Sequence, residues 1–275
     1  MCYEMIDVPA VIGTVVLNSR EDVRDVVEQF TAQAASNGFQ TVDALSDDVA
    51  DAQPAVIVGI GGDGTLLRAA HLAHEHDVPV IGVNLGTVGY LTEVEPEIVG
   101  EMLRRLAAGQ LGVQSRMTVA AETPDGSMLH GINDVVMEKV LSERLVRISV
   151  EVSGEFFTTF RADGLIVATP LGSTAYSLSA GGPVVDPDLD VLIMTPVAPH
   201  SLMSRPTVFA PDTALRFTVA TERQVRVNVD GRAGVVLEEG QSVVVRAGVR
   251  PVRFLTMGSH PFPQAVRHQF GLDHA

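Results

Sequence analysis

One junction constrains this chain more than any other. An apolar run, Ala55-Val56-Ile57-Val58-Gly59-Ile60, passes directly into Gly61-Gly62-Asp63-Gly64-Thr65, and a helical pattern begins at Leu66. The run has the length and β-branched content of a buried strand. Three glycines in the turn let backbone amides approach an anion closely, and the amino end of the following helix adds a favourable dipole. Asp63 then places a negative charge where a polyphosphate would lie. A carboxylate there can carry Mg²⁺ bridging to phosphate, or accept a proton from an attacking hydroxyl, and both duties belong to phosphoryl transfer.

Other phosphate-binding loops fit less well. Gly59, Gly61 and Gly64 have the G-x-G-x-x-G spacing of a dinucleotide fold. The next strand, Val78-Pro79-Val80-Ile81-Gly82-Val83, however, ends at Asn84 and Leu85 rather than at an acidic residue able to hold a ribose. A Walker loop needs Gly-Lys-Ser/Thr, and the only lysine in the chain is Lys139. The same absence argues against the glycine-rich loop of protein kinases.

The first part of the chain alternates strand and helix patterns. Val11 to Leu17 reads as a strand, Ser19 as an N-cap, Glu21 to Asn37 as a helix and Gly38 as its stop. After the glycine loop come a helix to about His76, a strand to Val83, and a helix opening at Pro96 and closing near Gly109. Short apolar strands separated by helices predict an α/β domain with a parallel sheet.

Near Arg116 the pattern changes to short β-type runs: 117–122, 134–137, 147–152, 155–161, 165–169, 191–195, 215–221, 225–229 and 242–247. Pro124-Asp125-Gly126, Ser153-Gly154 and Asp230-Gly231 are hairpin signals. An all-β, sandwich-like domain is predicted to follow the α/β domain. The expected division is 1–115, 116–255 and a tail, 256–275.

The charge balance bears on partners. Thirty-four acidic residues against 19 basic ones give a net charge of −15, which repels nucleic acid and offers no concentrated basic stripe. Two readings of the acidity stay open. One is adaptation to very high salt, where repulsion is screened within roughly 3 Å at about 1 M; the other is arginine replacing lysine through high genomic GC content. No apolar run reaches membrane-spanning length. Glu4 and Asp7 stand where a leader would be basic, and Cys2 is the one cysteine. A cytoplasmic protein without membrane or nucleic-acid partners is expected.

The densest polar cluster of the β-rich part is the run from Asp163 to Pro183, in which the strand Leu165–Thr169 enters the hydroxyl-rich turn Gly172-Ser173-Thr174-Ala175-Tyr176-Ser177-Leu178-Ser179. Hydroxyls and amides at a strand end suit a purine and ribose, with Tyr176 as a stacking face; a tight Gly-Ser loop capped by a core tyrosine is the alternative. Neither Ser173 nor Ser177 has the Gly-x-Ser-x-Gly context of a serine hydrolase. His71, His74 and His76 lack an acidic partner on the same helix face, so a solvated face is favoured over a metal site. His200 is read as structural.

Taken together these residues resemble the NAD kinase family. Four blocks over about residues 55 to 235 carry the resemblance: Gly61 to Thr65; Asn84 to Glu93; Asn133-Asp134; and Asp163 to Pro183, followed by Pro199-His200-Ser201-Leu202-Met203-Ser204-Arg205-Pro206. The first block is shared with diacylglycerol, sphingosine and phosphofructokinase-type enzymes. The long run is specific.

The resemblance implies transfer of the ATP γ-phosphoryl group to the 2′-hydroxyl of the adenosine ribose of NAD, giving NADP. It implies Mg²⁺ or another divalent cation, with inorganic polyphosphate an open alternative donor and the metal ligands unknown. Asp63 would be the catalytic base within the phosphate loop Gly61, Gly62, Asp63, Gly64 and Thr65. Asp63, Gly64 and Arg68 would approach NAD, and Asn133 and Asp134 would hold its ribose and adenine edge. Asp163 would lie near the nicotinamide end, while Thr174, Ala175, Tyr176, Ser177, Leu178 and Ser179 would line the adenine and ribose pocket. Arg144 and Arg161 would reach the acceptor from a neighbouring subunit, making the protein a homo-oligomer, a dimer or tetramer. The tail would return to the first domain. This sequence departs from the family at Leu171, where Thr is common, at Arg232, where many members have Gln, and at Asp134, where many have Glu. A catalytically silent NAD sensor and a lipid or small-molecule kinase are the other readings.

Overall fold

The computed structural model describes residues 10–17, 21–85, 93–141, 144–200, 202–258 and 262–272. The anticipated cap Ser19, the stretch 86–92 of the second family block, and Ser201 lie outside the described residues.

The α/β signals of the first part give β1 (Val11–Val15), α1 (Glu21–Ser36), β2 (Gln40–Asp43), α2 (Val49–Ala52), β3 (Val56–Gly61), α3 (Asp63–His76) and β4 (Val80–Asn84). A 3-10 turn, Pro96–Ile98, then leads into α4 (Val99–Ala107) and β5 (Gly112–Arg116). Gly38 and Gly109, both at positive φ, end α1 and α4. The sheet order is β2, β1, β3, β4, the strand Val252–Thr256, then β5. Strands β1 to β4 pair in parallel, as the short strand and helix alternation predicts.

Both faces of this sheet are covered. Val56, Val58 and Ile60 pack with Phe30 of α1 and Met102, Leu103 and Leu106 of α4. On the opposite face α3 lies so close that a Cβ on Gly59 would meet the Leu66 backbone and Ala69 at 3.1 Å. Gly59 is therefore explained by helix-to-strand packing. The chain adds β2 on one side of β1 and β3 on the other, so the strand order reverses between β1 and β3. The glycine loop leaves the carboxyl end of β3.

The second unit spans Arg116–Pro251. Its strands are β6 (Val119–Glu122), β7 (Met128–Gly131), β8 (Asp134–Lys139), β9 (Val146–Val152), β10 (Glu155–Ala162), β11 (Gly164–Ala168), β12 (Leu192–Val197), β13 (Thr207–Phe209), β14 (Leu215–Val219), β15 (Val225–Val229), β16 (Arg232–Leu237) and β17 (Ser242–Ala247). They form two six-stranded sheets, in the orders β10-β9-β14-β17-β6-β7 and β13-β12-β11-β8-β15-β16. Every pairing recorded between these strands is antiparallel. Alternate residues of both sheets share one core: Val135 and Met137, Val146, Ile148 and Val150, Leu165 and Val167, Phe217, Val227 and Val245. Burial of each such side chain contributes about 1.5–3 kcal/mol. The strands β8, β11 and β12 are apolar on their outer face too, where Val136, Ile166, Ala168 and Ile193 pack under the segment that carries Ala180, Val185 and Val191. Two-sided burial explains the unbroken apolar run of Leu165–Thr169.

The hairpin signals take the expected form. Ser153 and Gly154 have φ of 52° and 88°, and Asp230 and Gly231 have 48° and 71°, the paired left-handed conformation of a type I′ turn. Six strands escaped the sequence reading: β2, β5, β7, β13 and β16, each an edge strand of its sheet, and Val252–Thr256, which lies inside the first sheet. An edge strand faces solvent along one side and alternates poorly, so its pattern is weak. The strand Val252–Thr256, which the sequence division left with the β-rich part up to 255, belongs to the sheet of the first unit, where Phe254 pairs in parallel with Val80. Its register depends on a partner about 170 residues away, which no local pattern reports. The helix Phe262–Gln269 belongs to the first unit as well.

Candidate functional site

In the first unit Gly62 caps α3 and Asp63 opens it, half-buried in the first turn between exposed Gly62 and Gly64. Helix propagation starts tightly: Thr65 N and Leu66 N donate to Gly62 O at 2.9 and 3.1 Å. Gly61 needs to lack a side chain, because a Cβ there would run into Thr65. Gly62 and Gly64 are different. Neither has a positive φ, and a Cβ on either would meet nothing within 4 Å. Fold and packing leave their glycine identity unexplained, and the space beside them is open to a ligand. The positive end of the α3 dipole points into that space. Arg68, half-buried, lies one turn along the helix.

The second unit gathers residues from two distant segments around Asn133-Asp134. From the β15–β16 turn, the Asp230 carboxylate accepts hydrogen bonds from Ile132 N (2.7 Å), Asn133 N (2.8 Å) and Asp134 N (2.8 Å). Asp230 N in turn donates to Asp134 O at 3.1 Å. From the end of β11, Thr169 Oγ1 donates to Ile132 O at 2.7 Å and Thr169 N to Asn133 O at 2.9 Å. The turn after Thr169 packs so tightly on this segment that a Cβ at Gly172 would overlap the Asn133 backbone. Main-chain groups on both sides of Asn133 are thus satisfied within the protein. Its side chain is half-buried.

Asp134 is 4% exposed. Burial, and secondly the neighbouring charge of Asp230, push its carboxyl up to about 7. Asp230 holds three amide donors on its oxygens. Tyr176, in the short helix α5 (Tyr176–Ser179), is drawn up by burial and then by the charges of Glu138, Asp163 and Asp134. Its phenol therefore sits in the field of an acidic cluster, and Lys139 offsets part of it by pairing with Asp163 at 2.5 Å. The one lysine of the chain is spent here.

Of the remaining residues expected in the pocket, Ser177 turns inward, its hydroxyl 2.8 Å from Thr195 Oγ1. Thr174 hydrogen-bonds Leu171 O at 3.4 Å, Leu171 is buried, and Ala175 and Leu178 are half-buried. Ser179 and Tyr176 are exposed. Arg161 lies exposed on β10, directly across from Arg147, and Arg144 is exposed ahead of β9. Arg232 donates to His130 O at 3.4 Å. Thr169, Lys139 and Asp230 were not singled out as site residues by sequence. Asp230-Gly231 had already been accounted for as a hairpin turn, and that local explanation hid its long-range hydrogen bonds.

A glycine loop with an embedded carboxylate at the carboxyl end of a parallel strand is an arrangement suited to phosphoryl transfer. The family model of the ATP-NAD kinase N-terminal domain matches residues 10–111, and that of the C-terminal domain matches residues 132–257. An NAD kinase of Desulforamulus reducens is 35% identical over 285 residues, covering 95% of this chain and 99% of its own. One of Heliobacterium modesticaldum is 43% identical over 219 residues, 78% of this chain and 77% of its own. The chain belongs to the NAD kinase family. In fold it is similar to a yeast NADH kinase complexed with NADH, with a TM-score of 0.85 at 21% identity over 98% of this chain and 89% of that one.

Proposed function

We propose that this enzyme transfers the γ-phosphoryl group of ATP to the 2′-hydroxyl of the adenosine ribose of NAD, forming NADP. The observation that carries the reading is the open space at Gly62 and Gly64 around the Asp63 carboxylate at the amino end of α3. Asp63 accepts the proton of the 2′-hydroxyl as the oxygen attacks phosphorus and ADP departs, while the amides at the open amino end of α3, around Gly62 to Gly64, hold the donor phosphates in line. Positioning and charge neutralisation supply most of the rate. Gly64 and Arg68 contact the substrate from the same helix.

Asn133 and Asp134 hold the ribose and adenine edge of NAD. Thr174 to Ser179 form the wall of that pocket, Asp163 lies toward the nicotinamide end, and Arg144 and Arg161 serve a neighbouring subunit of a homo-oligomer. A divalent cation is part of the proposal. Among the described residues no group of three or more His, Cys, Asp or Glu is arranged to cage a metal. Mg²⁺ carried on the ATP phosphates would neutralise charge on the transferring phosphoryl group. Among the described residues no helix is long and apolar enough to cross a membrane. The net charge of −15 disfavours nucleic acid as a partner, and activity at low and at high salt separates adaptation to salt from a simple exchange of lysine for arginine.

The test is NADP formation from NAD, ATP and Mg²⁺ by wild type and Asp63→Asn, at low salt and in molar KCl, with polyphosphate as a second donor. Product from the wild type alone is expected. Equal turnover by Asp63→Asn would remove Asp63 as base, and no product from folded wild type with either donor would leave only NAD binding.

A further inference from the structure

Two residues beyond those expected to touch NAD govern the segment that does. A hairpin turn at 230–231 would be served at least as well by Asn-Gly as by Asp-Gly, since both adopt the left-handed conformation. Asp230 does more than turn the chain. Its two oxygens take three main-chain N–H groups of Ile132, Asn133 and Asp134, which lie nearly 100 residues earlier. An amide at this position would present one acceptor oxygen and a donor NH₂ facing an N–H that needs an acceptor. The carboxylate comes at a cost, because it stands beside the buried Asp134 and raises the energy of charging it. A turn residue alone would not call for that arrangement. Opposite Asp230, Thr169 takes the carbonyls: its hydroxyl donates to Ile132 O and accepts from Gly172 N at 3.0 Å, and its amide donates to Asn133 O.

We propose that Asp230 and Thr169 are positioning residues for the acceptor, clamping the 132–134 backbone from its amide side and its carbonyl side so that Asn133 and Asp134 meet NAD in one pre-set orientation. The inference rests on the reading that Asn133 and Asp134 bind NAD. Neither clamp residue need touch the substrate. Binding energy that would otherwise go into ordering the segment is preserved.

The clamp acts on NAD affinity and leaves the donor site alone. Asp230→Asn keeps the turn but breaks charge-assisted bonds, and should raise KM for NAD by about 10- to 100-fold, with kcat and KM for ATP within about twofold. Thr169→Val should show the same split and Thr169→Ser, which restores the hydroxyl, should return KM to the wild-type value. Thermal melts identify variants that fold; if Asp230→Asn does not, the Thr169 pair carries the test. An unchanged KM for NAD in a folded Asp230→Asn or Thr169→Val variant, or an equal change in the NAD and ATP constants, overturns the proposal. Asn133→Ala separates the two levels. If it raises KM for NAD while the clamp variants do not, the clamp alone is wrong; if it too has no effect, NAD binding by this segment fails and the clamp falls with it.

Discussion

The glycine loop of the first unit and the Asn133-Asp134 segment of the second are both small polar sites at strand ends, built by opposite means. The loop is contiguous: five consecutive residues, a strand before and a helix after, with its conformation closed by bonds between near neighbours such as Thr65 N to Gly62 O. The segment at 132–134 has no local means of holding its shape. It is gripped by Asp230 and Thr169, and Gly172 has been stripped of a side chain to let the grip close. One site keeps space open and the other has it filled. Glycine serves both, at Gly62 and Gly64 by leaving room for a ligand and at Gly172 by admitting the protein's own backbone.

If the contrast holds, variants should separate chemistry from architecture. The largest effect belongs to Asp63→Asn, which should cut kcat by about 10²- to 10⁴-fold while NAD binding, read by equilibrium titration, and thermal stability are retained. Simultaneous loss of NAD affinity and melting temperature would show that Asp63 is architectural. Asp134→Asn comes next. The folded-state value of Asp134, near 7, lies above its unfolded value, so the folded protein binds the extra proton and stability falls as pH rises from about 4 to about 7. Removing that acid should flatten the decline and gain up to about 4 kcal/mol above pH 7, less whatever the buried amide loses in hydrogen bonding. Denaturant titrations at pH 5 and pH 8 check this, and parallel curves for wild type and variant would contradict it.

Gly172→Ala should destabilise by about 3 kcal/mol, because the new methyl meets main-chain atoms of Asn133 that cannot swing aside. Gly62→Ala and Gly64→Ala should leave the melting temperature within a few degrees of wild type yet lower activity at least about tenfold, by intruding on the open space proposed for the donor phosphates. Should all three alanines behave alike, the distinction between open and filled glycines is lost. Smallest is Ser153→Asn in the β9–β10 turn. Asn tolerates the left-handed conformation at φ 52° better than Ser, so the change should add about 0.3–0.5 kcal/mol without touching kinetics.

The same contrast explains what could be read before the fold was known. The strand, glycine loop and α3 were legible because their constraints lie within some twenty residues. So were the hairpins at Ser153-Gly154 and Asp230-Gly231, which need only the turn's own φ values. Edge strands such as β13 and β16 were not, because half of each strand's surroundings is solvent and the sequence carries no strict alternation there.

What this sequence determined by itself is local chemistry: apolar periodicity, the turn residues, and a carboxylate set among glycines at a helix start. Those depend on bonds between near neighbours and hold in any fold that admits the segment. Only the tertiary structure decided that Val252–Thr256 completes the first sheet, that Lys139 meets Asp163, and that Asp230 and Thr169 close on either side of Asn133. Each of those joins residues separated by 24 to 174 positions. Loop-closure entropy opposes every one of them, and the buried cores that bring such segments together offset it.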